Sequence, residues 1–199
     1  MKTMYLIRHA PTEANVNGSM VKNYEETSIL PFDAYNWQKT FRTAINYVDG
    51  VFTSNTTRAK ETAAELFPFH DIRTLEYLNE FDCSGLGDKK FWEISEDEFK
   101  ELVDLTENDM QRQVKKLFDW FLNGYYEICA CVSHGMFIRY VCDSLQGLDC
   151  TPYSVINSKN TKVANLDVVR IDWSNHKDGN YEMSNLILYP YSKPINHEK

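Results

Sequence analysis

The chain has 199 residues, of which 43% are hydrophobic and 25% are charged, and this composition is typical of a globular protein. Its 21 basic and 29 acidic residues give a formal net charge of −8, so its overall field disfavours nucleic acid and any anionic ligand needs a local group of cations. No apolar run approaches the ~20 residues that cross a bilayer, and the short N-terminal run is unlike a signal peptide. We therefore expect a cytoplasmic protein that binds neither nucleic acid nor membranes.

The spacing of the cysteines predicts free thiols. The five cysteines are Cys83, Cys129, Cys131, Cys142 and Cys150. They form no C-x-x-C pair, so neither a zinc ribbon nor a thioredoxin-like motif is supported, and an odd number without a secretion signal is typical of reduced thiols. Because the length fits one domain and no repeat or flexible linker interrupts it, the sequence predicts a single domain over residues 1–199.

The hydrophobic pattern alternates between strands and helices along most of the chain. It predicts strands at residues 4–7, 51–53, 72–75 and 128–132, and helices at residues 33–48, 54–68, 95–122 and 136–145. Residues 163–171 and 181–189 alternate like two further strands, which suit an antiparallel pair at one edge. This order of elements predicts an α/β fold, a three-layer sandwich with a mostly parallel central sheet.

Chemically active side chains follow three of the predicted strands. Arg8 and His9 come directly after the first strand, and His134 comes after the strand at 128–132. Arg58 lies a few residues beyond the strand at 51–53. Because the carboxyl ends of parallel strands meet at one edge of a sheet, where ligands bind, we expect these side chains to lie together. Guanidinium and imidazole groups suit a phosphate, so this edge is a candidate site for phosphoryl transfer.

Four sequence blocks in this order resemble the histidine phosphatase superfamily, also called the phosphoglycerate-mutase-like superfamily. Residues 8–15 read R-H-A-P-T-E-A-N and match its signature R-H-G-x-T-x-x-N except at Ala10, which replaces the glycine. Residues 54–63 resemble its S-x-x-x-R-A-x-x-T-A block, and residues 78–80, before a Gly-rich turn, resemble its L-x-E element. Residues 133–135 match its S-H-G block, so the resemblance spans about residues 3 to 145.

The resemblance implies a role for each matching residue. His9 would be the nucleophile that forms a phosphohistidine, and Glu80 would protonate the leaving oxygen and then activate water. The groups implied to bind the phosphoryl oxygens are Arg8, Asn15, Arg58 and His134. The resemblance implies no metal and no other cofactor. The expected partner is a small phosphorylated metabolite.

Several points stay open at the level of sequence. Asp82 lies two positions beyond Glu80, and either carboxylate could be the acid. Ala10 adds a methyl group where the superfamily has glycine, and we expect it to be tolerated. The segments 16–33 and 83–95, where substrate specificity would lie, match nothing firm. Neither the physiological substrate nor the oligomeric state follows from the sequence.

Three alternatives to a phosphatase remain. A phosphoglycerate-type mutase shares the chemistry, but only about fifty residues separate Glu80 from His134, whereas the glycolytic mutase branch has a longer insertion. A metal-dependent hydrolase would use His9, His134 and Glu80 as ligands, although no familiar metal-ligand spacing is present. The third is a catalytically idle member that serves as a binding or regulatory module.

Overall fold

The computed structural model describes residues 1–19, 27–45, 47–87, 89–157, 159–175 and 180–191, with Phe91 described by its backbone alone. The strands are β1 (Lys2–Arg8), β2 (Gly50–Thr53), β3 (Ile72–Thr74), β4 (Ile128–Ser133), β5 (Val168–Asn175) and β6 (Tyr181–Tyr189). The helices are α1 (Glu13–Asn17), α2 (Ala34–Phe41), α3 (Thr57–Leu66), α4 (Glu96–Leu102), α5 (Glu107–Leu122), α6 (Gly135–Leu145) and α7 (Pro152–Ile156). Within the described ranges, no helix is long and apolar enough to cross a membrane.

The six strands form one sheet in the order β3-β2-β4-β1-β5-β6. The pairs β3-β2, β2-β4 and β4-β1 are parallel, whereas β5 runs antiparallel to both β1 and β6. The predicted α/β fold with a mostly parallel sheet is confirmed. The predicted antiparallel pair is present, but the strand expected at 163–171 is observed as β5 at Val168–Asn175. β5 lies inside the sheet beside β1, and of the two strands only β6 is at an edge.

The central strands are buried on both faces. In β1, Leu6 packs in a cluster on one side of the sheet and Ile7 in a second cluster on the other side. Cys129 and Cys131 of β4 share the side of Leu6, as their spacing predicts. Helices cover both faces because each face is apolar, so the sheet is the middle of three layers.

Two predicted helices differ from those observed. The helix expected at 33–48 ends at Phe41, whose carbonyl accepts hydrogen bonds from Ala44 N (2.9 Å) and Ile45 N (2.7 Å) in a turn. The segment beyond that turn still packs its apolar side chains on the core, so the pattern looked helical although the backbone is not. The helix expected at 95–122 is divided into α4 and α5.

The division between α4 and α5 has a clear local cause. The backbone of Val103 is extended, and Thr106 starts a new helix with a capping box. Its side chain accepts a hydrogen bond from Asp109 N (3.2 Å), and the carboxylate of Asp109 accepts one from Thr106 N (3.2 Å). The T-x-x-D pattern was readable in the sequence, but the continuous apolar stripe concealed it.

Candidate active site

The carboxyl ends of β1 and β4 lie side by side. Arg8, the last residue of β1, is in register with Ser133, the last residue of β4. The residues that follow, His9 and His134, therefore meet, and their ring centroids are 5.2 Å apart. Both side chains are almost completely buried, with His9 4% and His134 1% exposed.

A cavity of about 330 Å³ opens at this edge of the sheet. All six predicted site residues line it: Arg8, His9, Asn15, Arg58, Glu80 and His134. The volume is at the lower end of the range for small-molecule sites. The fold therefore brings together the six side chains that the sequence argument singled out.

The hydrogen bonding of His9 defines its chemical state. Its Nδ1 lies 2.7 Å from the carbonyl oxygen of Ala10, which can only accept a hydrogen bond, so Nδ1 carries the proton. Burial, and then the positive charges of Arg8 and Arg58, hold the pKa of His9 well below its usual value of 6.5. The imidazole is therefore neutral at physiological pH, with the lone pair on Nε2.

His134 is positioned by the S-x-x-x-R block. Its Nε2 lies 2.8 Å from the Ser54 hydroxyl oxygen, and its Nδ1 has no partner in the described part of the chain. Burial, followed by the nearby His9 and the arginines, lowers the pKa of His134 well below 6.5. His134 also precedes the first residue of α6, Gly135, and its backbone is extended.

The two arginines reach the site from different elements. Arg8 donates from Nη1 to the carbonyl of Val163 (2.6 Å), and Arg58 is buried in the first turn of α3. Burial and then the neighbouring Arg139 lower the pKa of Arg8 to about 10, so it stays charged at neutral pH. A Cβ on Gly135 would lie 3.2 Å from the Arg8 guanidinium carbon, so a larger residue there would require the Arg8 side chain to shift by a few tenths of an ångström.

The two candidate carboxylates occupy different environments. Glu80 lines the cavity and accepts hydrogen bonds from the backbone N–H groups of Met136 (3.0 Å) and Phe137 (2.8 Å) at the start of α6. Burial raises the pKa of Glu80, although these hydrogen bonds oppose the shift. Asp82 is exposed, accepts from Ser84 N (2.9 Å) and is not part of the cavity wall. Of the two carboxylates, only Glu80 is brought to the histidines.

Asn15 is held in one orientation by its neighbours. Its Oδ1 accepts hydrogen bonds from Thr12 N (3.2 Å) and from Asn165 Nδ2 (3.1 Å). The side-chain oxygen is thereby occupied, and the amide nitrogen is the group left to donate to a ligand. Asn165 Nδ2 also donates to the carbonyl of His9 (2.8 Å), so this one side chain links the backbone of His9 to Asn15.

The methyl group of Ala10 does not enter the cavity. Ala10 is fully buried in the apolar cluster beneath the sheet edge, and its N–H donates to the Thr62 hydroxyl (2.9 Å). The substitution of the usual glycine is therefore accommodated by packing. Among the described residues, no group of three or more His, Cys, Asp or Glu side chains is arranged to hold a metal ion.

The sequence profile of the histidine phosphatase superfamily (branch 1) matches residues 4–179. The chain belongs to this superfamily. No match was found among curated protein sequences.

Solved structures of several other proteins share the fold at low sequence identity. A phosphoserine phosphatase from Entamoeba histolytica, in complex with 3-phosphoglyceric acid, is 18% identical with a TM-score of 0.68, covering 94% of this chain and 96% of that one. A putative α-ribazole-5′-P phosphatase from Escherichia coli is 16% identical with a TM-score of 0.66, at 94% and 96% coverage. A phosphoglycerate mutase from Bacillus anthracis is 15% identical with a TM-score of 0.64, at 92% and 91% coverage.

Three residues at this site were not assigned a role from the sequence. Ser54 belongs to a recognised block, but its contact with His134 is visible only in three dimensions. Arg139 follows the S-H-G block by one helical turn, and this spacing could have suggested that it lines the cavity. Asn165 lies in a loop about 150 residues beyond Asn15, and no motif marks it.

Proposed function

We propose that this chain is a phosphatase that hydrolyses small phosphate monoesters through a phosphohistidine on His9. The observation that carries the proposal is the hydrogen bond from His9 Nδ1 to the Ala10 carbonyl. It leaves Nε2 with a lone pair, on a histidine that lines the same cavity as Arg8 and Arg58. A neutral imidazole beside two guanidinium groups has the properties that attack on a bound phosphoryl group requires.

In the first step, His9 Nε2 attacks phosphorus, the N–P bond forms and the bond from phosphorus to the ester oxygen breaks. Arg8, Arg58 and His134 stabilise the charge that spreads over the phosphoryl oxygens. Glu80 gives its proton to the departing oxygen, and the alcohol leaves. The raised pKa of Glu80 supports this role because it increases the protonated fraction of this carboxyl group near neutral pH.

In the second step, water attacks phosphorus and the N–P bond breaks. The Glu80 carboxylate, now ionised, takes the proton from the water. Inorganic phosphate leaves, and both His9 and Glu80 return to their starting states. The two steps share one carboxylate, which alternates between acid and base.

A mutase differs from this scheme only in the acceptor of the phosphoryl group. The structural similarity to the Bacillus anthracis phosphoglycerate mutase supports phosphoryl transfer to a second substrate as the alternative function. The short stretch of about fifty residues between Glu80 and His134 supports hydrolysis, since the family resemblance implies a longer insertion there in the glycolytic mutase branch. The assay must therefore score free phosphate separately from a transferred phosphoryl group.

The test is a panel of phosphorylated metabolites and a nitrophenyl phosphate, assayed for release of inorganic phosphate by the wild type and by His9→Ala. We expect the wild type to release phosphate and His9→Ala to have no detectable turnover. His70→Ala is the matched control, since His70 is exposed and lies outside the cavity. Acid-labile phosphate should be trapped on the wild type and on His70→Ala, but not on His9→Ala.

Several results would contradict the proposal. Hydrolysis by folded His9→Ala at the wild-type rate would remove His9 from the mechanism. Transfer of the phosphoryl group to an added acceptor, without release of phosphate, would make the chain a mutase. Binding without turnover of every compound in the panel would indicate the idle alternative.

A further inference from the structure

Arg139 is a third guanidinium in the cavity wall, and the proposed reaction does not use it. It lies in α6, four residues after Gly135, and is partly buried. Its Nη1 makes long contacts with the carbonyls of Val155 (3.5 Å) and Ile156 (3.3 Å) at the end of α7. In the described part of the chain, its Nε has no hydrogen-bond partner and no carboxylate lies within ion-pair distance.

The charge of Arg139 is poorly compensated in the structure. Burial is the main influence and lowers the pKa of Arg139, while the carboxylates of Glu80 and Asp143 act on it only at longer range. Arg139 in turn lowers the pKa of Arg8, so the two cations raise each other's energy. A partly buried arginine without a counter-ion is costly, and a bound anion would remove that cost.

We propose that Arg139 binds a carboxylate of the substrate, so that the preferred substrates are small phosphate monoesters that also carry a carboxylate. This inference rests on the proposed phosphatase function and adds the substrate class. Arg139 would determine specificity, while Arg8 and Arg58 bind the phosphoryl group.

Three observations favour a carboxylate over other partners. The edge of the guanidinium formed by Nε and Nη2 has no protein acceptor in the described residues, and two parallel N–H donors match the two oxygens of a carboxylate. One guanidinium balances one negative charge, and a second phosphate would bring two. Glu80 lies in the same cavity and would repel such a dianion more strongly than a carboxylate.

The apolar surroundings strengthen the preference. Met136 and Ile156 line the cavity with Arg139 and offer no side-chain donor or acceptor for a neutral polar group. A carboxylate here would therefore depend on Arg139 for its hydrogen bonds. A charge-assisted pair in such a place is stronger than one in water.

The experiment compares O-phosphoserine with O-phosphoethanolamine, which differ only in the carboxylate. We expect the wild type to prefer O-phosphoserine in kcat/KM, and Arg139→Gln to lower kcat/KM for it about 10- to 100-fold, the range for a lost charge-assisted hydrogen bond. The same variant should lower kcat/KM for O-phosphoethanolamine by a smaller factor, so the ratio of the two kcat/KM values should fall, since only O-phosphoserine carries the carboxylate. Arg112→Gln, on the exposed side of α5, is the matched control for charge.

The ratio between the two substrates separates specificity from a general loss of structure. Arg139→Gln could loosen α7, but that would lower both rates together and leave the ratio unchanged, which would overturn the proposal. A wild type without preference for O-phosphoserine would also overturn it. Activity on a nitrophenyl phosphate is measured in parallel: if it is present, a failure concerns Arg139 alone, and if it is absent for all compounds, the proposed phosphatase function fails as well.

Discussion

Replacing Asn165 tests whether the loop before β5 positions the proposed phosphoryl site. Its Nδ2 donates to the carbonyl of His9 (2.8 Å) and to Oδ1 of Asn15 (3.1 Å), so Asn165→Ala removes two hydrogen bonds at once. At ~1 kcal/mol of net free energy each, the two are worth about 2 kcal/mol. If both are needed in the transition state, kcat/KM falls by roughly thirtyfold, since 1.36 kcal/mol corresponds to a factor of ten.

The backbone of the loop before β5 holds Asn165 in place. Leu166, the next residue, has a φ of 68°, in the left-handed region that residues other than glycine rarely adopt. Its N–H donates to the Arg8 carbonyl (3.0 Å), and Arg8 N donates to the Asp167 carbonyl (3.1 Å). The strained turn is held by the end of β1 and brings Asn165 to the cavity.

The assay is steady-state hydrolysis of a nitrophenyl phosphate, well below the melting temperature of each variant. We expect the loss mainly in kcat, because the donors that Asn165 positions act most strongly on the transition state. Asn123→Ala is the matched control, since it removes one exposed side-chain hydrogen bond to the Asp119 carbonyl at the end of α5. It should leave kcat/KM unchanged.

Asn165→Asp distinguishes hydrogen bonding from space filling. The aspartate has the same size but places an acceptor against the oxygens of His9 and Asn15, so we expect a loss at least as large as that of Asn165→Ala. If Asn165→Asp stays active while Asn165→Ala does not, the side chain only fills space. If Asn165→Ala retains kcat/KM within about threefold of the wild type, the positioning argument is refuted.

Three further predictions concern the acid, the buried histidines and metal. Glu80→Gln should lower the rate on alkyl phosphates by about 10²- to 10⁴-fold and the rate on a nitrophenyl phosphate by less, and phosphohistidine should accumulate. Asp82→Asn should change both rates little. If Asp82→Asn shows the larger loss on alkyl phosphates and Glu80→Gln stays active, Asp82 is the acid. The melting temperature should fall as pH drops below about 6.5, because the unfolded chain protonates His9 and His134 while the folded chain keeps their pKa values depressed. The melting temperature of His134→Asn should fall less steeply with pH than that of the wild type, and an equally steep fall would contradict this reasoning. Activity should survive EDTA, whereas loss that zinc or manganese restores would support the metal-dependent alternative.

Much of the site was predictable because its residues follow strands. The apolar runs of β1 and β4 are buried on both faces, so their sequences alone indicate central parallel strands. Once those strands are adjacent, His9 and His134 must meet at the carboxyl edge. The recognised sequence blocks then supplied Arg58 and Asn15 without any knowledge of loop structure.

The choice between the two carboxylates required the tertiary structure. Glu80 and Asp82 are two positions apart in a segment without regular secondary structure, and no periodicity decides which one faces the histidines. The start of α6 decides it, since its free N–H groups attract Glu80 and leave Asp82 in solvent.

The sequence by itself determined the buried central strands, the mostly parallel sheet and the motif residues that follow the strands, because strand hydrophobicity and local motifs are properties of short segments. The tertiary structure alone decided that β1 and β4 are neighbours, how Asn165 reaches Asn15, and that Arg139 lies near Arg8. Those features depend on contacts between residues far apart in the chain. A local pattern carries no information about such contacts until the chain has folded.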